Sequence, residues 1–147
     1  MFYNPKKWLK EAYIRFSPMS LPALKARLDA VKHDVDVFDM IPQEWLNEEI
    51  RLAAAVQDGW KLIHMSEEHR TPEICLAAVQ VDARTLCLVP PDLRTLELCL
   101  IAVCLDGHAL FHVPDKHLTP EICWAAIKQN IRALDYSPWS ILELMAL

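Results

Sequence analysis

The chain repeats itself every 24 residues, without insertion or deletion, through most of its length. Leu46-Asn47-Glu48-Glu49-Ile50-Arg51-Leu52-Ala53-Ala54 aligns with Arg70-Thr71-Pro72-Glu73-Ile74-Cys75-Leu76-Ala77-Ala78. The next two blocks are Arg94-Thr95-Leu96-Glu97-Leu98-Cys99-Leu100-Ile101-Ala102 and Leu118-Thr119-Pro120-Glu121-Ile122-Cys123-Trp124-Ala125-Ala126. Segments 70–93 and 118–141 share Thr-Pro-Glu-Ile-Cys, then Ala-Ala, Arg, Leu and Pro, ten identities over 24 positions. A period of about 20–50 residues predicts an array in which each unit buries its apolar face only against its neighbours. The expected fold is all-α: an α-solenoid of five 24-residue helix–turn–helix repeats with N- and C-terminal capping helices.

The first half of each unit reads as a short amphipathic helix. Asn47, Thr71, Thr95 and Thr119 share one register, and each side chain can accept a hydrogen bond from an orphan amide at a helix start. Pro72 and Pro120 follow at the first helical position, where a missing N–H costs nothing. Glu49, Glu73, Glu97 and Glu121 come next, within the positive end of the helix dipole. The apolar face is Ile50/Ala54, Ile74/Ala78, Leu98/Ala102 and Ile122/Ala126, spaced i to i+4. Alanine at the second of these positions implies close approach of neighbouring helices.

The second half predicts a shorter helix. Asp34, Asp58, Asp82, Asp106 and Asn130 read as its N-caps. Phe38, Leu62, Leu86, Leu110 and Leu134 are its main core positions, followed by Ile41, Met65, Val89 and Val113. Pro42, Pro90, Pro114 and Pro138 stop it, with Ser66 in the unit that lacks proline. Counting back one period gives a degenerate unit at 22–45, so the five repeats span 22–141 of a single domain, 1–147. Residues 1–21 read as an N-terminal cap helix, with Pro5 at its start and Leu9, Ala12, Tyr13 and Phe16 as its packing stripe. Residues 139–147 read as a C-terminal cap, because the end units of an array must cover an otherwise exposed face.

Composition narrows the function classes. The hydrophobic fraction is 53% against 24% charged, as in folded soluble domains. Two glycines leave little room for tight β-hairpins. With 20 acidic and 15 basic residues the net charge is −5. That balance disfavours nucleic acid and anionic membrane as general partners, because Lys and Arg supply affinity for phosphate. No run approaches the roughly 18 apolar residues of a membrane span. Met1-Phe2-Tyr3-Asn4-Pro5-Lys6-Lys7-Trp8 lacks the order of a secretory signal. Five cysteines with no CxxC pair suit a reducing compartment with free thiols.

Two stretches carry a family resemblance. Ala54-Ala55-Val56-Gln57-Asp58-Gly59-Trp60-Lys61-Leu62 and Ala125-Ala126-Ile127-Lys128-Gln129-Asn130-Ile131-Arg132-Ala133-Leu134 resemble a family of short bacterial helical repeats. That family is catalogued as a domain of unknown function with an Ala-Val-Lys-Gln-Asn-Gly-x-x-Leu core. The resemblance covers roughly 46–141, and Ala83 and Ile131 depart from it at the glycine. It implies a binding scaffold of bacterial type, of which secreted effectors are examples, and it brings no catalytic residues. The expected location is cytoplasmic, or a host cytosol for an effector.

Several constellations invite a chemical reading. Cys75, Cys99 and Cys123 form a ladder with Arg51 in the same register. Equivalent positions on stacked helices lie about 8–10 Å apart, too far for thiolates each about 2.3 Å from one zinc. The ladder reads as small buried side chains. Cys87 and Cys104 have no better claim. His108 and His112 are four apart, near Asp106 and Asp115, a spacing that places two imidazoles on one helix face. They support the alternative of a metal-binding protein or metal-dependent hydrolase, although no third ligand is evident. The Glu and Asp ladders recur once per unit rather than converging, as caps do and paired catalytic carboxylates do not. His64 with His112, and His69 with His117, share registers two units apart. No catalytic residue and no cofactor is expected.

Repeats also separate scaffold from surface: positions that vary between units are free to bind. The most variable register runs Asp36, Trp60, Arg84, His108 and Arg132. Four residues on, the same face continues as Met40, His64, Leu88, His112 and Tyr136. Trp, Tyr and Arg dominate interface energetics. The expected partner-binding residues are Trp60, Arg84, His108, Arg132, His64, His112 and Tyr136, and the expected partner is a protein or peptide. A third alternative is single-stranded nucleic acid stacked along Arg84, Arg132, Trp60 and Tyr136, against which the acidic balance counts. Oligomeric state is not readable from the pattern.

Overall fold

A computed structural model describes residues 21–146; the helix expected over 1–21 lies outside them. The described residues are all-helical, with no strand. Six α-helices succeed one another: α1 (Leu21–His33), α2 (Glu48–Gln57), α3 (Pro72–Val81), α4 (Leu96–Leu105), α5 (Pro120–Gln129) and α6 (Ile141–Met145). From α2 to α5 each begins 24 residues after the last, and each is ten residues long. The caps explain the starts. Asn47, Thr71, Thr95 and Thr119 accept from the backbone N–H of Ile50, Ile74, Leu98 and Ile122, with Pro72 and Pro120 at the first turn. α6 starts on a capping box, in which Ser140 and Glu143 satisfy each other's backbone amides.

The second half of each unit departs from the expected second α-helix. Val35–Met40, Gly59–His64, Ala83–Leu88, Gly107–His112 and Ile131–Tyr136 are six-residue 3₁₀ helices. Each begins on the predicted cap, since Asp34, Asp58, Asp82, Asp106 and Asn130 accept from the amide two residues on. Each closes on a tight i to i−3 bond, as from Met65 N–H to Leu62 O and from Val113 N–H to Leu110 O. Pro42, Pro90, Pro114 and Pro138 follow four of them and disfavour the α conformation in the residue before, but Gly59–His64, followed by Ser66, is the same 3₁₀ helix, so proline is not what sets the helix type. Pro42, Ser66, Pro90 and Pro114 then open a further three-residue 3₁₀ turn, an element that reading proline as a stop overlooks. The unit is thus α-helix, 3₁₀ helix and 3₁₀ turn.

Consecutive α-helices pack against each other from α1 to α5, and consecutive six-residue 3₁₀ helices do likewise. Between them runs one apolar cluster. Ile50, Ile74 and Ile122, all four paired alanines (Ala54, Ala78, Ala102, Ala126), and Phe38, Leu62, Leu86 and Leu110 are sealed from solvent, and Leu98 is buried. Leu134 is only half-buried, because α6 is short and covers less than a full unit would. Two glycines lie directly against the backbone of the paired alanines. A Cβ on Gly59 would fall 2.5 Å from the Ala78 carbonyl oxygen, and one on Gly107 the same distance from that of Ala126.

Candidate functional site

The face built by the 3₁₀ helices derives from the caps. Asp58, Asp82, Asp106 and Asn130 each bind the backbone N–H of the residue two positions on: Trp60, Arg84, His108 and Arg132. One capping bond per unit therefore presents one residue of the variable register. Asp82 does more. It receives the Trp60 indole N–H at 2.9 Å, and Arg84 Nε and Nη2 at 3.0 and 2.6 Å. The Arg84 guanidinium lies 5.8 Å from the Trp60 ring centroid. The hydrogen bonds from Arg84, together with that from Trp60, hold the Asp82 carboxyl well below the usual carboxylate range. One carboxylate thus orients an aromatic and a cation from two successive units.

A cleft of about 330 Å³ opens beside this pair. Trp60, Arg84, His108, His112 and Tyr136 line it, so five of the seven residues expected to bind a partner share one concavity. His108 Nδ1 lies 3.1 Å from Asp106 Oδ1 and 3.3 Å from Asn130 Nδ2, and its ring meets Tyr136 edge-on at 6.4 Å. His112 is half-buried; burial, with the nearby Arg94 guanidinium, lowers its pKa, which favours the neutral imidazole. Arg132 is exposed and does not line the cleft, and His64 sits apart with Asp39, 3.7 Å away.

Three lining residues escaped the variable-register analysis: Cys87, Ala109 and Phe111. Phe111 is 65% exposed and stacks edge-on against Tyr136 at 5.3 Å and His112 at 5.1 Å. Its register reads Asp39, Ile63, Cys87, Phe111 and Asp135, as variable as the two that were singled out. Arg94 is a further omission. Its Nε, Nη1 and Nη2 donate to the carbonyls of Val89, His112 and Cys87, so it pins the backbone beneath two cleft residues. Arg70 does the same one unit earlier, at Met65 and Leu88.

The other candidates lie in the scaffold. Cys75, Cys99 and Cys123 are fully buried, and burial pushes the Cys75 thiol up to about 11, Arg70 opposing it. Lys61 is buried too, its Nζ 2.7 Å from Asp39 and 3.1 Å from Asp36. Burial acts to lower its pKa, but hydrogen bonds to the two carboxylates outweigh this and raise it. Among the described residues no group of three or more His, Cys, Asp or Glu side chains is placed to hold a metal ion. Nor is any described helix long and apolar enough to cross a membrane.

A family model described as a domain of unknown function (DUF4116) matches residues 95–142. That segment runs from the cap of α4 into α6 and carries His108, Phe111, His112 and Tyr136 of the cleft. No curated protein and no solved structure matches the chain.

Proposed function

We propose that the chain is a non-enzymatic α-solenoid of five 24-residue repeats that binds another protein or peptide through the 3₁₀ face. The observation that carries this reading is the meeting of Trp60, Arg84, His108, His112 and Tyr136 in one cleft, although they come from four different units. Stacking of the units brings equivalent positions together, and the residue types that vary there are anchors rather than a uniform solvated row. Aromatic and arginine anchors in a concavity are what binding hot spots use. Because caps and Asp82 hold the anchors before a partner arrives, little ordering entropy is lost on association.

The carboxylates of the second caps recur once per unit rather than pairing at one point. Asp58, Asp82, Asp106 and their counterparts cap the 3₁₀ helices in their own units, which supports a structural role. A surface of this kind serves an effector module, an adaptor or an inhibitor of another protein, and the resemblance to bacterial repeats favours those settings. The test is Trp60→Ala/Arg84→Ala/Arg132→Ala. Loss of a captured partner is expected, and unchanged affinity in a variant with native circular dichroism contradicts the assignment of the face.

A further inference from the structure

The opposite side of the molecule, where the α-helices face outward, has its own chemistry. α3 and α4 contain no Lys, Arg or His, yet carry Glu73 and Glu97, both exposed. α4, Leu96-Glu97-Leu98-Cys99-Leu100-Ile101-Ala102-Val103-Cys104-Leu105, is apolar round nearly its whole circumference. A helix of that composition is ordinarily covered on all sides. Here only Leu98, Cys99, Ala102 and Val103 are buried, while Leu96 is 42% and Leu105 50% exposed. Leu76 and Val81 on α3 are exposed as well.

Between these two helices runs a groove of about 290 Å³, lined by Pro72, Leu76, Leu93, Leu98 and Ile101, with Glu97 among its walls. Its position has a structural cause. Successive units approach most closely where the first residue of the 3₁₀ helix is Gly59 or Gly107. At the α3–α4 junction, which is less closely packed than the two glycine junctions, that residue is Ala83. The groove between α1 and α2, lined by Leu28, Leu52 and Val56 among others, falls at the junction that carries Val35.

We infer that the α3–α4 groove is a second docking surface, and that its occupant is a basic amphipathic helix of a partner protein. Apolar side chains of such a helix fill the groove, and its Lys or Arg residues meet Glu97 in the wall and Glu73, exposed on α3. The two grooved helices span ten residues each, about 15 Å, so about three turns of the partner suffice. The neighbouring arginines do not neutralise this face: Arg70 and Arg94 donate to backbone carbonyls of the 3₁₀ layer. A second copy docked through the same groove is the poorer occupant, because α3 and α4 hold no Lys, Arg or His to pair with the glutamates. This inference does not depend on the cleft of the opposite face.

The probe is a fluorescein-labelled 18-residue peptide with leucine at helical spacing and lysine elsewhere; its twin carries glutamate in place of lysine. Fluorescence anisotropy should show salt-sensitive binding of the lysine peptide and none of the glutamate peptide. Glu73→Gln/Glu97→Gln should weaken it about fivefold or more, by loss of two rim ion pairs. Leu76→Ser/Ile101→Ser, which leaves the charge unchanged, should weaken it about tenfold or more. Glu67→Gln/Asp135→Asn, which removes the same charge off the groove, should change it less than about twofold. Trp60→Ala/Arg84→Ala/Arg132→Ala should leave it unchanged, which separates this surface from the cleft. Equal losses in the on-groove and off-groove charge pairs overturn the inference in favour of general electrostatics. So does a sedimentation result in which wild type is a dimer that Leu76→Ser/Ile101→Ser dissociates.

Discussion

Substituting alanine at Gly59 or Gly107 should destabilise the fold, although the same change in a helix ordinarily stabilises it. The ordinary term is a gain of about 0.5–1 kcal/mol from reduced backbone freedom. Neither glycine has a positive φ, so conformation alone gives no reason for it. Space does. The new Cβ at Gly59 meets Ala78 O at 2.5 Å, Ala78 C at 3.1 Å and Ala78 Cα at 3.2 Å, all backbone atoms of α3. At Gly107 it meets Ala126 O at 2.5 Å and the side chains of Asn130 and Gln129 at 3.0 Å. Gln129 already holds that junction by accepting from Gly107 N–H at 2.6 Å. A backbone carbonyl cannot swing aside as a side chain can, so the next helix must shift by several tenths of an ångström. Overpacking of this kind costs about 1–3 kcal/mol, which leaves a net loss centred near about 1 kcal/mol after the backbone gain. That corresponds to a fall in Tm of about 3 °C in a chain of this size. Thermal unfolding followed by circular dichroism, with Ala83→Gly as comparison, reads it. Gly59→Ala that melts at or above wild type refutes the close-approach argument.

Four further outcomes follow from the same geometry. Leu86→Ala, at a fully buried position, should cost about 2–5 kcal/mol by denaturant titration. Asp82 has a folded pKa depressed by its bonds from Arg84 and Trp60. Its contribution to stability is therefore full above the unfolded value of about 3.9 and is lost as pH falls below it. Acid unfolding of Asp82→Asn should show a correspondingly smaller loss between about pH 4 and pH 2 than wild type. Cys75, Cys99 and Cys123, buried with raised pKa values, should resist a thiol reagent until the protein is unfolded, whereas exposed Cys104 should react at once. Arg94→Ala should cost about 2 kcal/mol, because its charge-assisted bonds to three carbonyls are lost, and should shift the His112 signals in an NMR spectrum.

Much of this architecture is legible in one unit, because local rules act identically each time. Thr71, Thr95 and Thr119 mark the helix starts, Asp58, Asp82 and Asp106 mark the second caps, and each Ile or Leu with its paired Ala marks the buried face. What the pattern misjudges is helix type. The apolar spacing from Leu86 to Val89 suits an α-helix and a 3₁₀ helix alike, and the following proline does not decide between them, since Gly59–His64 is 3₁₀ without one. The short turn Pro91–Leu93 was hidden because proline reads as a terminator. The shared face of the cleft residues is legible in their registers, but the contacts between units are not. Trp60 and Asp82 are 22 residues apart, and their hydrogen bond exists only because one unit packs on the next. Phe111 was overlooked for a different reason: its register varies as much as its neighbours do but contains Asp39 and Asp135 at the ends, which disguises it as a solvated row. The α3–α4 groove falls at the junction that carries Ala83, and its signal in the sequence is merely the absence of glycine.

Binding of another protein through the 3₁₀ cleft is tested most directly by quantitative affinity capture from native cells. Wild type, the cleft variant Trp60→Ala/Arg84→Ala/Tyr136→Ala and the groove variant Leu76→Ser/Ile101→Ser run side by side, with mass spectrometry as readout. The account predicts a protein retained by wild type and by the groove variant and lost from the cleft variant. Retention of that protein by a folded cleft variant, or no specific protein on wild type, contradicts it.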